Sequence, residues 1–294
     1  MDEKTKHFLQ LNLAFLLLST GGIFAKLMVF PPVFINFARA VVAGTILFFI
    51  IFFIKKEKIL PKNKKDLFGL LVIGFFMAIH WITVIVAVKI STVAITMLAV
   101  GLAPIFTVFI EPLFFRTKLN RFDILLATIA FGGLLMMIPE FSLSNQLTIG
   151  AILGAISALA LSIRSVISRK YVQKYGASLL MFYQLLVTAI VSLPFIWGGD
   201  LGFANFPSWM YLVLLAILGT LFGHTLLVHS FKHFTVSKVT IQSNLITVYA
   251  IILAMLVLHE IPHVKTLFGG TVIVAVAIAE AIRHNHMSKK SRLN

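Results

Sequence analysis

Ionisable and hydrogen-bonding side chains are scarce in the long apolar runs of this chain, so those that occur there are the candidates for chemistry. Arg39, His80 and Trp81 stand well inside such runs, as do Gly101 and Pro104. An ionisable group near a membrane-helix centre costs roughly 2.5–3.5 kcal/mol on insertion scales, and it usually faces a cavity or a partner. Proline removes a backbone donor and frees a carbonyl one turn earlier. These five residues read as one wall of a central pocket offering a fixed cation, an imidazole, an aromatic face and loosened backbone. The second half of the chain supplies softer counterparts in Tyr183, Gln184, His224, Gln242 and Asn244, the last two beside Thr240 and Ser243. A structural reading competes with each: a carbonyl-capped arginine for Arg39, a satisfied histidine for His80, cross-helix bonds for Thr240 and Ser243, and snorkelling for Lys26. Glu111, Arg164 and Glu280 lie near the opposite ends of their runs and are candidates for coupling or gating. Glu111 and Arg164 share a depth, each standing just ahead of an interfacial base, Arg116 or Arg169, which lets them pair.

The elements that must hold these residues are ten apolar stretches: Phe8–Met28, Val33–Ile54, Leu67–Val88, Thr92–Phe115, Ile124–Ile138, Leu147–Ile167, Ala177–Trp197, Trp209–Phe231, Val236–Leu258 and Val264–Ile282. About 20 residues of helix cross about 30 Å of hydrocarbon, and a helix satisfies its own backbone there. The fold expected is an all-α polytopic membrane protein of ten transmembrane helices. At 60% hydrophobic and 12% charged, the chain lies far from the roughly 25% charged composition of soluble domains. It has no cysteine, so disulfides and thiolate metal sites are excluded. The charged start runs into a full-length span without a small-residue cleavage site, which reads as a first helix and not as a signal peptide.

A net charge of +15 suggests nucleic acid in a soluble protein. Here the bases sort by loop. Most of the 25 Lys and Arg fall in alternate intervals, whereas Lys26, Lys89 and Lys265 are alone on the other side. Basic residues are retained in the cytoplasm, so both termini are expected inside and a nucleic-acid partner is not.

An offset of 143 residues lays Lys89-Ile90-Ser91-Thr92-Val93 on Lys232-His233-Phe234-Thr235-Val236. Five spans per half is an odd number, so residues 144–294 would enter the membrane inverted relative to residues 1–143. Two inverted five-helix repeats with a site between them are a recurring design of secondary transporters.

The chain resembles the EamA-type branch of the drug/metabolite transporter superfamily over essentially its full length. The residues that carry the resemblance are Asn36-Phe37-Ala38-Arg39, the stretch Ala87–Ala94, Leu102-Ala103-Pro104-Ile105-Phe106, Ser230–Ser237, and His259-Glu260 where the family often has Gly-Glu. Thr20-Gly21, Leu159-Ala160 and Arg116-Thr117 depart from the family's usual Trp-Gly, Trp-Ala and Gly-Glu. The resemblance implies export of small metabolites or drugs across a bacterial inner membrane.

Arg39 with two histidines, Trp81 and many Phe suits a small amphipathic substrate such as an amino acid, the guanidinium meeting its carboxylate. No nucleotide-binding, metalloprotease or nucleophile-elbow motif is present. Uphill transport would therefore draw on an ion gradient, with Glu111 as the candidate proton carrier; facilitated exchange or uniport needs no such residue. An intramembrane enzyme using His80, Glu111 and Glu280 is the rival class. His284-Asn285-His286 is a weak ligand set, so no metal and no cofactor is expected. The partners expected are a small-molecule substrate and the lipid bilayer, with the chain a monomer or weak homodimer.

Overall fold

The computed structural model describes residues 3–115, 121–138, 142–196 and 205–290. Every regular element among them is helical. In chain order they are α1 (Glu3–Leu27), α2 (Pro32–Phe49), α3 (Lys64–Ile90), α4 (Val93–Phe115), α5 (Arg121–Met137), α6 (Gln146–Ser192), α7 (Phe206–Ser230), α8 (Lys238–Leu258) and α9 (Val264–Lys290). Seven of the described helices are long and apolar enough to cross a bilayer, and α5 and α9 contribute shorter apolar segments, Ile124–Met137 and Val264–Val276. The outer surface is correspondingly greasy. Phe52, Phe53, Phe68 and Phe75 are among many large apolar side chains left exposed, as a lipid-facing belt requires and a water-facing one does not tolerate. The chain is a polytopic, all-α membrane protein.

Helix boundaries follow local chemistry. Asn63 caps α3 by accepting from the Asp66 N–H at 2.8 Å, and Thr92 caps α4 by accepting from Ile95 at 3.2 Å, each satisfying a donor that the first turn leaves open. Pro32 opens α2, where its missing N–H has no helical partner to lose.

α6 departs from the sequence expectation of a loop after Ile167. Its first arm stays helical past Ile167 as far as the non-helical Gly176, where a second arm begins; a straight helix of the full 47 residues would reach about 70 Å. Gly176 folds it back. Its φ of 77° and ψ of 163° belong to a region essentially closed to side chains. The neighbours of α3 reveal the reversal. Going up α3, a Cβ on Gly69 would strike Tyr171 and His80 bonds Ser157, so the first arm of α6 runs antiparallel; a Cβ on Gly74 would strike Val187 and the Tyr183 carbonyl, on the second arm. Asp66, in the first turn of α3, pins the bend by accepting from Lys174 Nζ and from the Tyr175 hydroxyl.

Small residues permit the close approaches. A Cβ on Gly154 would lie 2.6 Å from that of Ala99, bringing α6 against α4, and one on Gly269 would lie 2.4 Å from the Gly133 carbonyl, bringing α9 against α5. Membrane helices associate through such packing because lipid offers no hydrophobic drive. Pro104 sits just inside the resumed part of α4, after a break at Gly101-Leu102.

Candidate functional site

A cavity of about 110 Å³ lies at the centre of the bundle, walled by α1, α2, α3, α4, the first arm of α6, α7 and α8. Arg39, His80, Trp81, Gly101, His224 and Asn244 all line it. Pro104, Tyr183, Gln184 and Gln242 are not in its wall. Instead, Tyr183 donates its hydroxyl to the Ile59 carbonyl at 3.2 Å, and Gln184 lies between helices as a partner of Arg164. Glu280 lies outside the residues whose side chains are described.

The wall is ordered by contacts made at the level of individual atoms. The Arg39 guanidinium stacks on Trp81, its Cζ 3.5 Å from the ring centroid, a cation–π contact strengthened by desolvation. Trp81 Nε1 donates to His224 Nε2 at 3.1 Å. That bond places the neutral His224 proton on Nδ1, which is buried without a partner. His224 ends a π-helical stretch, Leu215–His224, and the added residue per turn re-aims the side chains beyond it. His80 Nδ1 lies 2.6 Å from the Ser157 hydroxyl, which itself donates to the His80 carbonyl at 3.0 Å. The imidazole must then donate through Nδ1, leaving Nε2 as an acceptor.

The unpartnered groups in the wall are all donors. Arg39 Nε and Nη2, His224 Nδ1 and Asn244 Nδ2 are all buried donors without an acceptor. An unmade hydrogen bond of this kind costs about 1–3 kcal/mol, more for a charged group. Among the described residues the wall holds no carboxylate. Arg164, fully buried, donates Nε to Gln184 Oε1 at 2.5 Å and leaves both Nη atoms unpartnered. The site is rich in positive charge and donors.

Ion pairs lie toward both ends. At one, Lys26 Nζ is 3.1 Å from Glu260 Oε1 and donates to the Ser91 carbonyl at 2.6 Å, while Glu260 Oε2 accepts from the Val93 N–H at 2.9 Å. Lys89 donates to the Met28 carbonyl beside them. The end of α1, the α3–α4 junction and the α8–α9 connection are thereby tied together. Lys26 has a carboxylate partner rather than a snorkelling role. At the other end Glu111 Oε1 meets Arg169 Nη1 at 3.0 Å. The Glu111–Arg164 pairing allowed by sequence is not formed, since Arg164 turns to the second arm of α6 and Arg169 occupies the next suitable turn.

Two halves of the chain match the same family model, described as the EamA-like transporter family, at residues 7–138 and 148–279. The chain belongs to the EamA-like transporter family. The pseudopaline exporter CntI of Pseudomonas aeruginosa is 24% identical over 249 residues, covering 85% of this chain and 86% of that protein. An S-adenosylmethionine uptake transporter of Rickettsia prowazekii is 27% identical over 208 residues, covering 69% of this chain and 67% of its own. A solved crystal structure superposes with a TM-score of 0.70 at 17% identity, covering 96% of this chain and 99% of the other, which shows a shared fold. Family membership makes this a multi-pass small-molecule transporter; the names of its relatives point to transport and not to catalysis.

Sequence reasoning missed the contribution of α1. Leu18, Gly21, Gly22 and Ala25 line the cavity, yet small apolar residues in an apolar span carry no signal of their own. Thr20-Gly21 stands out in the sequence only as a departure from the family's usual Trp-Gly.

Proposed function

We propose that this protein is a secondary transporter exporting a small amphipathic metabolite that bears a carboxylate, by alternating access around the Arg39–Trp81–His224 cavity. The observation that carries the reading is the Arg39 guanidinium, buried with Nε and Nη2 unpartnered in a wall without a described carboxylate. A ligand carboxylate supplies the missing acceptors and the missing charge, as a bidentate partner of arginine does best. His80 Nε2, an acceptor in the same wall, suits an ammonium group, so an amino acid or a related zwitterion fits both ends of the polar lining. Apolar neighbours such as Val84, Ile85 and Leu227 suit its side chain.

This reading takes ten spans, with the arms of α6 counted separately and α5 and α9 crossing with the rest. Five spans to each half inverts the second repeat, residues 144–294, against the first, residues 1–143. Support comes from the twofold match of the family model and from two contacts between residues 143 apart. Trp81 bonds His224, and a Cβ on Gly101 would meet Asn244 Oδ1 at 3.4 Å. Residues beside a twofold axis meet their own equivalents, so both contacts fit an axis passing through the cavity. The basic loops argue for both termini on the cytoplasmic face of a bacterial inner membrane. Lys26–Glu260 then closes the outer end, and Glu111–Arg169 serves as a gate at the inner one. Export is the direction assigned, in line with the relative named as an exporter.

The test is metabolite profiling of medium and cytosol from cells overproducing the wild type or Arg39→Gln. One or a few carboxylate-bearing compounds should accumulate outside only with the wild type. Unchanged pools with both proteins would overturn the reading. Proteoliposomes with an imposed pH gradient then test coupling: uphill transport as steep in Glu111→Gln as in the wild type removes Glu111 as the proton carrier, and transport indifferent to the gradient makes the protein an exchanger or uniporter.

A further inference from the structure

We propose that His7, His229 and His233 form a binding site for one divalent transition-metal ion, at the end of the bundle that carries the start of α1. The three come from separate places in the chain: near the start of α1, the last turn of α7, and the turn that leads to α8. One ring nitrogen from each lies within 4.8 Å of the others. The His7 and His233 rings stack with centroids 3.5 Å apart, and His229 lies 5.0 Å from His233 and 6.0 Å from His7. The neutral imidazole is the ligating form.

A further contact points to a ligand. His7 Nδ1 lies 3.2 Å from Gln10 Oε1, one turn along α1. An amide oxygen can only accept, so His7 donates through Nδ1 and its neutral ring presents the Nε2 lone pair. Metal-ligating histidines are oriented in this manner by a second hydrogen bond at the far nitrogen.

The fit needs a modest rearrangement. Zinc–nitrogen bonds of about 2.0–2.1 Å in a tetrahedron place ligand nitrogens roughly 3.3–3.4 Å apart, against the present limit of 4.8 Å. In-plane lone pairs of parallel rings do not converge, so His233 must rotate out of its stack. It is exposed on a turn. Three imidazoles leave a fourth position for water, and imidazole suits zinc, nickel and copper over calcium or magnesium. Lys6 and Lys232 stand beside the cluster in sequence, and their charge keeps the affinity below that of thiolate sites. A bound ion would clasp α1 to α7 and α8, all of which line the cavity further along. The site stands on its own geometry, independent of the cargo assigned above.

The experiment uses the full-length protein in detergent, with His259→Ala, His284→Ala and His286→Ala introduced to break up the two other histidine pairs that are close in sequence, His259/His263 and His284/His286. Zinc binding is measured by competition with a chromophoric chelator, and nickel binding by calorimetry. One zinc equivalent should bind in the micromolar range and raise the thermal midpoint. His7→Ala, His229→Ala or His233→Ala should each weaken binding at least about tenfold, and Gln10→Ala by about tenfold. His233→Cys should restore or strengthen zinc binding through a thiolate, an outcome that ring stacking alone would not produce. Midpoints without metal establish that each variant is folded. Absence of zinc binding at tens of micromolar, or binding unchanged in the His7/His229/His233 triple alanine variant, would overturn the proposal.

Discussion

Replacing Arg39 separates a ligand-binding guanidinium from a structural one, because the two roles move binding and stability in opposite senses. In Arg39→Met the chain keeps an apolar side chain of similar reach and loses two buried donors, Nε and Nη2, that have no partner in the protein. A charge-assisted bond contributes about 1.5–3 kcal/mol, so two of them to one carboxylate are worth about 3–6 kcal/mol before the cation–π contact with Trp81 is counted. Losing the smaller figure raises Kd about 150-fold. The fold should not suffer in proportion. Removing an uncompensated buried charge relieves desolvation, and that gain offsets the roughly 2 kcal/mol of a desolvated cation–π pair. The expected signature is thus a Kd at least 100-fold weaker with a thermal midpoint unchanged or higher. The assay is ligand-induced stabilisation of the purified protein across a panel of amino acids and carboxylates, repeated with Arg39→Met and Arg39→Lys. Lysine should recover only part of the affinity, since an ammonium cannot make the bidentate pair. A midpoint that falls by many degrees in Arg39→Met while ligand affinity stays intact would refute the reasoning and make Arg39 a structural residue.

Three further outcomes are expected. His259 holds a left-handed backbone, with φ 55° and ψ 26°, which costs a side chain about 1–2 kcal/mol, so His259→Gly should stabilise the protein by about 0.5–1 kcal/mol in chemical denaturation; a loss of stability would show that the imidazole has a role of its own. Gly154→Leu places its Cβ 2.6 Å from the Cβ of Ala99, and separation of α6 from α4 should lower the midpoint sharply, whereas Gly132→Ala, with open space at its Cβ, should leave it within a degree or so; equal effects would contradict the packing described. Lys26→Met and Glu260→Gln should each speed thiol labelling of a cysteine placed at Val88 in the cavity wall, with the double variant no faster than the singles; labelling unchanged in all of them would remove Lys26–Glu260 as a closure.

How far sequence reached can be judged residue by residue. Arg39, His80, Trp81, His224 and Asn244 stand out because a polar side chain in an apolar span must find a partner or a cavity, and all five line the one described. Pro104, Tyr183, Gln184 and Gln242 gave the same signal, but it does not distinguish a cavity from a helix–helix seam, and Gln184 went to Arg164. The long apolar helices were legible from hydropathy, and seven of those described are long enough to cross a bilayer. The break in α6 falls between Ile167 and Ala177, where the spans require one, but its place at Gly176 was not legible, since hydropathy marks Arg169, Lys170 and Lys174 as a loop and the first arm stays helical through them. The Lys26–Glu260 pair was invisible because nothing local links residues at opposite ends of the chain. His7, His229 and His233 escaped for the same reason, while His284 and His286, two residues apart, drew the weak metal reading.

The smallness of the cavity has a consequence for how its cargo should be sought. At about 110 Å³ it is well below the 300–1,000 Å³ of a typical small-molecule site, so binding must select a roomier conformation. Apparent affinity is then the intrinsic affinity divided by the population of that conformation. If the roomy form were populated at about 1%, an intrinsic Kd of about 1 μM would be read as about 100 μM. Such a protein discriminates among solutes while gripping none of them for long, which is what rapid turnover demands. Its true cargo then gives only modest stabilisation at millimolar concentrations and ranks low by tightness, and flux is the measurement that picks it out.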